Sequence, residues 1–275
     1  MPLFTVDESR CRRDGICAAE CPIGIIEFKG DGSVPRPVAD ADARCIGCGH
    51  CVSVCPHEAI RLAAFGPEDC IPVNRALALS KEHAEHFLRS RRSIRAYKDK
   101  QVPRETLEEL VRIASHAPTG SNSQQVGWLI APTREAVSKL AGLGIDWMRY
   151  HVKKDSQFAR AYRMGQIAEA WDRGVDIICR GASALVIAHA PKEYPAAATD
   201  CTIALSHLDL AAPSLGLGTC WAGFMMIAAG SWPALRDALA LPEGRVPYGM
   251  MMVGYPKYQY HRMPPRKAPT IAWQE

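Results

Sequence analysis

Seven of the eleven cysteines fall within the first 55 of 275 residues, and their spacing specifies a chemistry. Cys45, Cys48, Cys51 and Cys55-Pro56 form C-x2-C-x2-C-x3-C-P, the arrangement in which thiolates hold cubane iron–sulfur clusters. The earlier run, Cys11, Cys17 and Cys21-Pro22, matches it position for position, except that Asp14 stands where a cysteine is expected. A hard carboxylate oxygen has replaced a soft thiolate there, so Asp14 is either a fourth ligand or a bystander. Zinc is the competing reading, since closely spaced cysteines also bind it tetrahedrally. Zinc motifs usually pair two C-x2-C units, however, and have no need of three cysteines in one short turn followed at fixed distance by Cys-Pro. A disulfide framework suits the pattern less still.

The two runs resemble those of two-cluster bacterial ferredoxins, in which the last Cys of each run crosses to the other cluster. The resemblance implies one 4Fe-4S cluster on Cys45, Cys48, Cys51 and Cys21. The other would sit on Cys11, Cys17 and Cys55, either as a 4Fe-4S cluster completed by Asp14 or as a 3Fe-4S cluster. Local patterns suit a small ferredoxin-like domain over residues 1–65. Leu3-Phe4-Thr5-Val6 reads as a first strand, Gly24 to Phe28 as a short strand entering the turn Lys29 to Ser33, and His57 to Leu62 as a short helix or strand. His57 reads as a surface residue.

A second constellation is cationic. Arg91-Arg92-Ser93-Ile94-Arg95 places three guanidinium groups and a hydroxyl within five residues, and arginine forks match phosphate oxygens bidentately. Alone, such a run is more often a solvated surface. Further on, Ala117-Pro118-Thr119-Gly120-Ser121-Asn122-Ser123-Gln124-Gln125 is a polar loop between a helix and a strand. Gly216-Leu217-Gly218-Thr219-Cys220-Trp221 is followed by Ala222-Gly223-Phe224, and Gly254-Tyr255-Pro256 precedes a second cationic cluster that includes Arg262, Arg266 and Lys267.

In this order the motifs resemble the FMN-dependent nitroreductase family, over about residues 80–275. The resemblance implies that Arg91, Arg92, Ser93 and Arg95 hold the FMN phosphate and ring edge, with Arg266 and Lys267 closing on the phosphate. It also implies that Pro118, Thr119, Ser121 and Asn122 line the flavin, some from a partner subunit, because family members are dimers with two interfacial sites. The backbone N–H groups of Ala222 and Gly223 match the segment facing the flavin N5 and O4. Many family members carry Glu at the position of Ala222, a departure that bears on substrate preference.

The elements that must position these groups are legible in outline. Residues 66–79, with Gly66-Pro67 and Pro72, read as a linker, and 80–275 as the flavin-binding domain. Helical periodicity covers Glu82 to Leu88 and Thr106 to His116, the latter with Leu107, Leu110, Val111 and Ala114 on one face. Further helices are expected at 146–180, 201–217 and 231–240, and strands at Val126 to Ala131, Ala184 to Ala190 and Met250 to Val253. The expected fold class is α+β, a nitroreductase-like sandwich of helices around an antiparallel-type sheet. No internal repeat is evident. Trp147, Tyr150, His151, Tyr162 and Trp171 form either an aromatic lid or packing, and Cys70, Cys179, Cys201 and Cys220 read as core thiols.

The net charge of +4 divides into −3 over residues 1–60, with six Lys/Arg against nine Asp/Glu, and +7 over the remainder. No basic run with interleaved aromatics suggests nucleic-acid binding, and no segment approaches the roughly 18 apolar residues of a membrane helix. A cytoplasmic protein with reduced thiols is expected. The absence of G-x-G-x-x-G after a strand argues against a separate nicotinamide domain.

These readings point to an FMN-dependent oxidoreductase. Its clusters, charged by ferredoxin or NAD(P)H, would feed FMN for reduction of a small aromatic or conjugated acceptor, with flavin N5 doing the chemistry and no side chain acting as the catalyst. The alternatives are an electron-transfer protein serving a protein partner, or a flavin dehydrogenase or dehalogenase on the same fold.

Overall fold

The computed structural model describes residues 2–274. Contacts separate the chain into two units, one comprising the residues up to Ala78 together with Gly120–Ser123, the other comprising Leu79–Thr119 and the residues from Gln124 onward.

In the first unit, strand β1 (Phe4–Val6) pairs antiparallel with β4 (Ile60–Leu62), and β2 (Ile26–Glu27) with β3 (Arg36–Pro37). Three short helices, α1 (Ile16–Ala19), α2 (Ala41–Arg44) and α3 (His50–Val54), complete it. Phe4, Ile25, Ile26, Val52, Ile60 and Leu62 form a small core into which Cys17 is also buried. Both cysteine runs are built alike. Gly15 (φ 71°) caps α1 and Gly49 (φ 74°) caps α3 in the left-handed region that glycine enters without penalty. A Cβ on either would lie 2.6 Å from Phe28 Cδ1 or 2.7 Å from Phe65 Cζ. Left-handed backbone also recurs at Arg13 and Gly47, and at Gly24 and Glu58. The two cysteine runs that match in sequence thus also match in backbone conformation, with Arg13 and Glu58 at two of the left-handed positions in place of glycine.

The second unit is organised on a sheet of order β5-β6-β8-β7, with every neighbouring pair antiparallel. Its helices are α4 (Lys81–Ser90), α5 (Arg104–Ala114), α6 (Arg134–Lys153), α7 (Gln157–Ala161), α8 (Met164–Asp172), α9 (Ala197–Ala211), α10 (Gly223–Ser231) and α11 (Pro233–Ala238). The strands are β5 (Gly127–Ala131), β6 (Ala184–Pro191), β7 (Gly218–Trp221) and β8 (Arg245–Gly254). Strand alternation explains the layering. Leu185, Ile187, Met250 and Met252 face a core shared with α6, α8 and α10, while Val186, Ala188, Met251 and Val253 face one shared with α5 and α9. Burial of each large side chain in these cores contributes about 1.5–3 kcal/mol. This is the α+β arrangement expected, helices covering both faces of an antiparallel sheet.

Three boundaries differ from expectation. The helical stretch expected at 146–180 is three helices beginning at Arg134. β8 starts five residues earlier than Met250, and β7 has no counterpart in the expected strands. Among the described residues, no helix is long and apolar enough to cross a membrane.

Candidate cluster and flavin sites

The first unit contains two small cavities. Cys21, Cys45, Cys48 and Cys51 line one, among Ile and Phe side chains. Cys11, Asp14, Cys17 and Cys55 line the other. The fold thus sorts the eight candidate ligands into the crossed sets, each run sending its last cysteine to the cavity of the other. Both cavities are small, and the one lined by Asp14 is slightly the smaller. Among the described residues, no three His, Cys, Asp or Glu side chains converge tightly enough to hold a single metal ion. Four candidate ligands lining one void is an arrangement that suits a cluster. Burial pushes the Cys51 thiol up to about 11, with Cys48, Cys17 and Cys21 adding to the rise. Burial also raises Cys17, with Cys55 and Cys11 contributing. Bare thiols so crowded resist ionising, and iron is what would offset the cost of gathering them as thiolates.

Asp14 accepts a hydrogen bond from the Ile16 N–H at Oδ1 (3.2 Å), which holds its carboxylate at the start of α1. His57 also lines this cavity, as does Arg12. From sequence, His57 is near a cluster but reads as a surface residue; the structure places it half-buried in the cavity lining.

In the second unit, the segment after α4 docks on the end of the sheet. The Ile94 N–H donates to the Thr219 carbonyl (2.7 Å), the Tyr97 hydroxyl to the Ile94 carbonyl (2.8 Å), and Tyr97 bridges to Pro256. The docking depends on Gly218, because a Cβ there would lie 2.4 Å from Ile94 Cγ1 and 2.9 Å from Pro256 Cγ. The arginines consequently divide between two cavities. Arg91 and Arg92 line one of about 640 Å³, together with Asp209, Lys98, Lys257 and Tyr258. Arg95 lines another of about 260 Å³ with Gly223, Tyr162, Arg180, Trp221 and Phe224. Arg92 donates to the carbonyls of Arg89 and Arg91, at 2.8 and 2.7 Å, and its Nε is buried with no hydrogen-bond partner among the described residues.

The two candidate backbone donors differ. The Ala222 N–H is already used, donating to the Met250 carbonyl at 2.9 Å. Gly223 is exposed at the first turn of α10, where backbone N–H groups lack a partner within the helix. Ser93 is half-buried between Arg92 and Ile94 and lines neither cavity. Pro118 and Thr119 line neither, and the Thr119 hydroxyl accepts from the Gln124 N–H (3.0 Å). Ser121 and Asn122 cluster with the first unit, where Asn122 donates from Nδ2 to the Ile46 carbonyl at 3.2 Å. Ser121, Asn122 and Gln124 all adopt positive φ, about 50°, a costly concentration for residues with side chains. Arg266 and Lys267 lie in the exposed, irregular segment after Tyr258 and line neither cavity, whereas Lys257, Tyr258 and Tyr260 do line the larger one.

The aromatic residues divide too. Trp147 is fully buried and packs edge-on to His151 and Phe158. Tyr162 is exposed beside Phe224 at the smaller cavity. Cys179, Cys201 and Cys220 are buried, as read from sequence. Cys70 is only half-buried and belongs to the first unit. Arg245 Nε donates to His189 Nδ1 at 2.7 Å, while a second nitrogen of the guanidinium reaches the Gln125 carbonyl at the foot of the polar loop. Burial, and then Arg245, lowers the His189 pKa, which keeps the imidazole neutral and able to accept.

A dicluster iron–sulfur unit followed by an α+β unit of this topology defines a class of oxidoreductase. A family model for the nitroreductase family matches residues 88–255, more than half of the chain, and one for a 4Fe-4S dicluster domain matches residues 9–60. The chain belongs to the nitroreductase family, with the iron–sulfur domain fused ahead of it. It is similar to an FMN reductase [NAD(P)H] of Bacillus subtilis, 29% identical over 193 residues that make up 68% of this chain and 72% of the relative. A nitroreductase with bound FMN from Bacteroides fragilis superimposes with a TM-score of 0.56 at 25% identity, covering 72% of this chain and all of that one. One from Desulfitobacterium hafniense, also with bound FMN, gives 0.56 at 21% identity over 70% of this chain and all of its own, and shows the shared fold.

Proposed function

We propose that this protein is an FMN- and iron–sulfur-dependent reductase of a small aromatic or conjugated acceptor. The observation that carries the reading is the presence, in one chain, of two cavities each lined by four candidate ligands and a cationic site at the end of a nitroreductase-type sheet. When bound, the clusters would pass single electrons and the flavin would pair them for hydride delivery, a one-to-two electron conversion that explains the fusion.

The chain's own residues bind and orient. Arg91, Arg92, Ser93 and Arg95 would hold the phosphate and ring edge, with Arg266 and Lys267 recruited from the exposed C-terminal segment. The Gly223 N–H would present a donor to the ring edge. Tyr162, Trp221 and Phe224 would supply a flat apolar wall that excludes water and favours a planar acceptor. A homodimer would complete each flavin site, with Pro118, Thr119, Ser121 and Asn122 among the lining residues. Ferredoxin or NAD(P)H would serve as donor in a cytoplasmic setting that keeps the thiolates reduced.

Arg91→Ala should weaken FMN binding by roughly thirtyfold, the loss of about 2 kcal/mol from a charge-assisted phosphate contact, and Ser93→Ala by less. Fluorescence titration of the flavin-stripped full chain, beside iron analysis, checks this. Iron content should not change in either variant, and unchanged FMN affinity in both would remove the phosphate assignment.

A further inference from the structure

Two carboxylates of α9 are buried where apolar residues would ordinarily pack: Asp200, which accepts from the Tyr194 hydroxyl, and Asp209. Asp209 lies near the end of α9 with 8% of its surface exposed, on a face otherwise occupied by Leu205, Leu208 and Ala212. It has two partners. The Thr219 hydroxyl of β7 donates to Oδ1, and Arg91 Nη1 donates to Oδ2 at 3.3 Å. Thr219 is itself buried, and its carbonyl receives the Ile94 N–H. Asp209 therefore joins the segment bearing Arg91 to the strand that leads into Ala222 and Gly223.

The geometry points to Asp209 as a positioning residue for the flavin phosphate, acting through Arg91; the inference rests on the reading that Arg91 binds that phosphate. A buried carboxylate is costly unless it is paired and hydrogen-bonded, and Arg91, with 28% of its side chain exposed, is the cation within reach. The contact uses one of the five guanidinium donors. Arg91 lines the cavity, and its remaining N–H groups are not used by Asp209, so the contact restrains the guanidinium before any ligand arrives. Preorganisation of this kind lowers the entropy cost of binding, as partners behind metal ligands do. The Thr219 bond fixes the carboxylate in turn, so that both halves of the flavin site share one anchor.

Riboflavin, which lacks the phosphate, separates this role from a merely structural one. In the flavin-stripped full chain, Asp209→Asn should weaken FMN binding about tenfold while leaving riboflavin affinity unchanged. Combined with Arg91→Ala, it should add nothing to the loss caused by that change alone. Thr219→Val, which frees the carboxylate without removing it, should give a smaller loss with the same selectivity, and it serves if the Asn variant does not fold. Equal weakening of FMN and riboflavin would show damage to the fold and overturn the inference. So would unchanged or tighter FMN binding in Asp209→Asn while Arg91→Ala binds FMN weakly. An Arg91→Ala variant with wild-type FMN affinity would instead overturn the phosphate reading itself.

Discussion

Replacing Cys21 by Ala should remove the cluster of the second cysteine run and leave that of the first, although Cys21 belongs to the first. Cys21 shares its cavity with Cys45, Cys48 and Cys51 and not with Cys11 and Cys17. A cubane that loses one of four thiolates loses both a strong bond and a fixed corner. Iron and sulfide should fall by about half, and the surviving electron paramagnetic resonance signal should be the one that responds to substitution at Asp14. Cys55→Ala should give the mirror result, sparing the all-cysteine cluster. Because the first unit has a core of only a few side chains, loss of either cluster should also lower its resistance to unfolding. Flavin bound to the second unit should persist. If Cys21→Ala instead abolishes the Asp14-sensitive signal, the ligands pair within each run and the crossed assignment is wrong.

The second large effect is expected at Asp14. An oxygen-ligated iron is held less firmly than a thiolate-ligated one, so oxidation should convert the cluster on Cys11, Cys17 and Cys55 to a three-iron form. Asp14→Cys should retain four irons under the same treatment, and Asp14→Ala should show the three-iron signal from the outset. Electron paramagnetic resonance of anaerobically prepared samples compares the three directly. One identical, stable three-iron signal in all of them would mean that Asp14 is not a ligand. A four-iron cluster surviving in Asp14→Ala would direct attention to His57, which lines the same cavity.

The sites were unevenly legible in the sequence, and the reasons are physical. Cluster ligation depends on short-range spacing, so all eight candidate ligands could be read from two runs and are gathered in the expected sets. β6 stands out because it is buried on both faces and reads as a continuous apolar run from Ala184. β7 does not, because four residues beginning with Gly218 carry no period. The close approach of Ile94 and Pro256 explains why glycine stands there. The polar start of β8, half-buried from Arg245 to Tyr248, reads as loop for the same lack of pattern. Asp209 was missed because an acidic residue in a helix reads as a solvent-facing position. Its burial makes sense only with Arg91, 118 residues away in sequence, as its partner. The Ala222 N–H illustrates the converse. A motif can nominate a backbone donor, but whether that donor is free depends on a strand, here Met250, that the motif does not contain.

Electrons entering through the clusters should reach the flavin. Flavin bleaching can be followed under anaerobic conditions after mixing the FMN-loaded chain with a reduced one-electron donor protein, in wild type and in Cys21→Ala/Cys55→Ala, with small-molecule dithionite as a control. Fast bleaching by the protein donor is expected in wild type, with a loss of at least tenfold in the variant and equal bleaching of both by dithionite. Equal rates with the protein donor would contradict this, since electrons would then be reaching the flavin without the clusters.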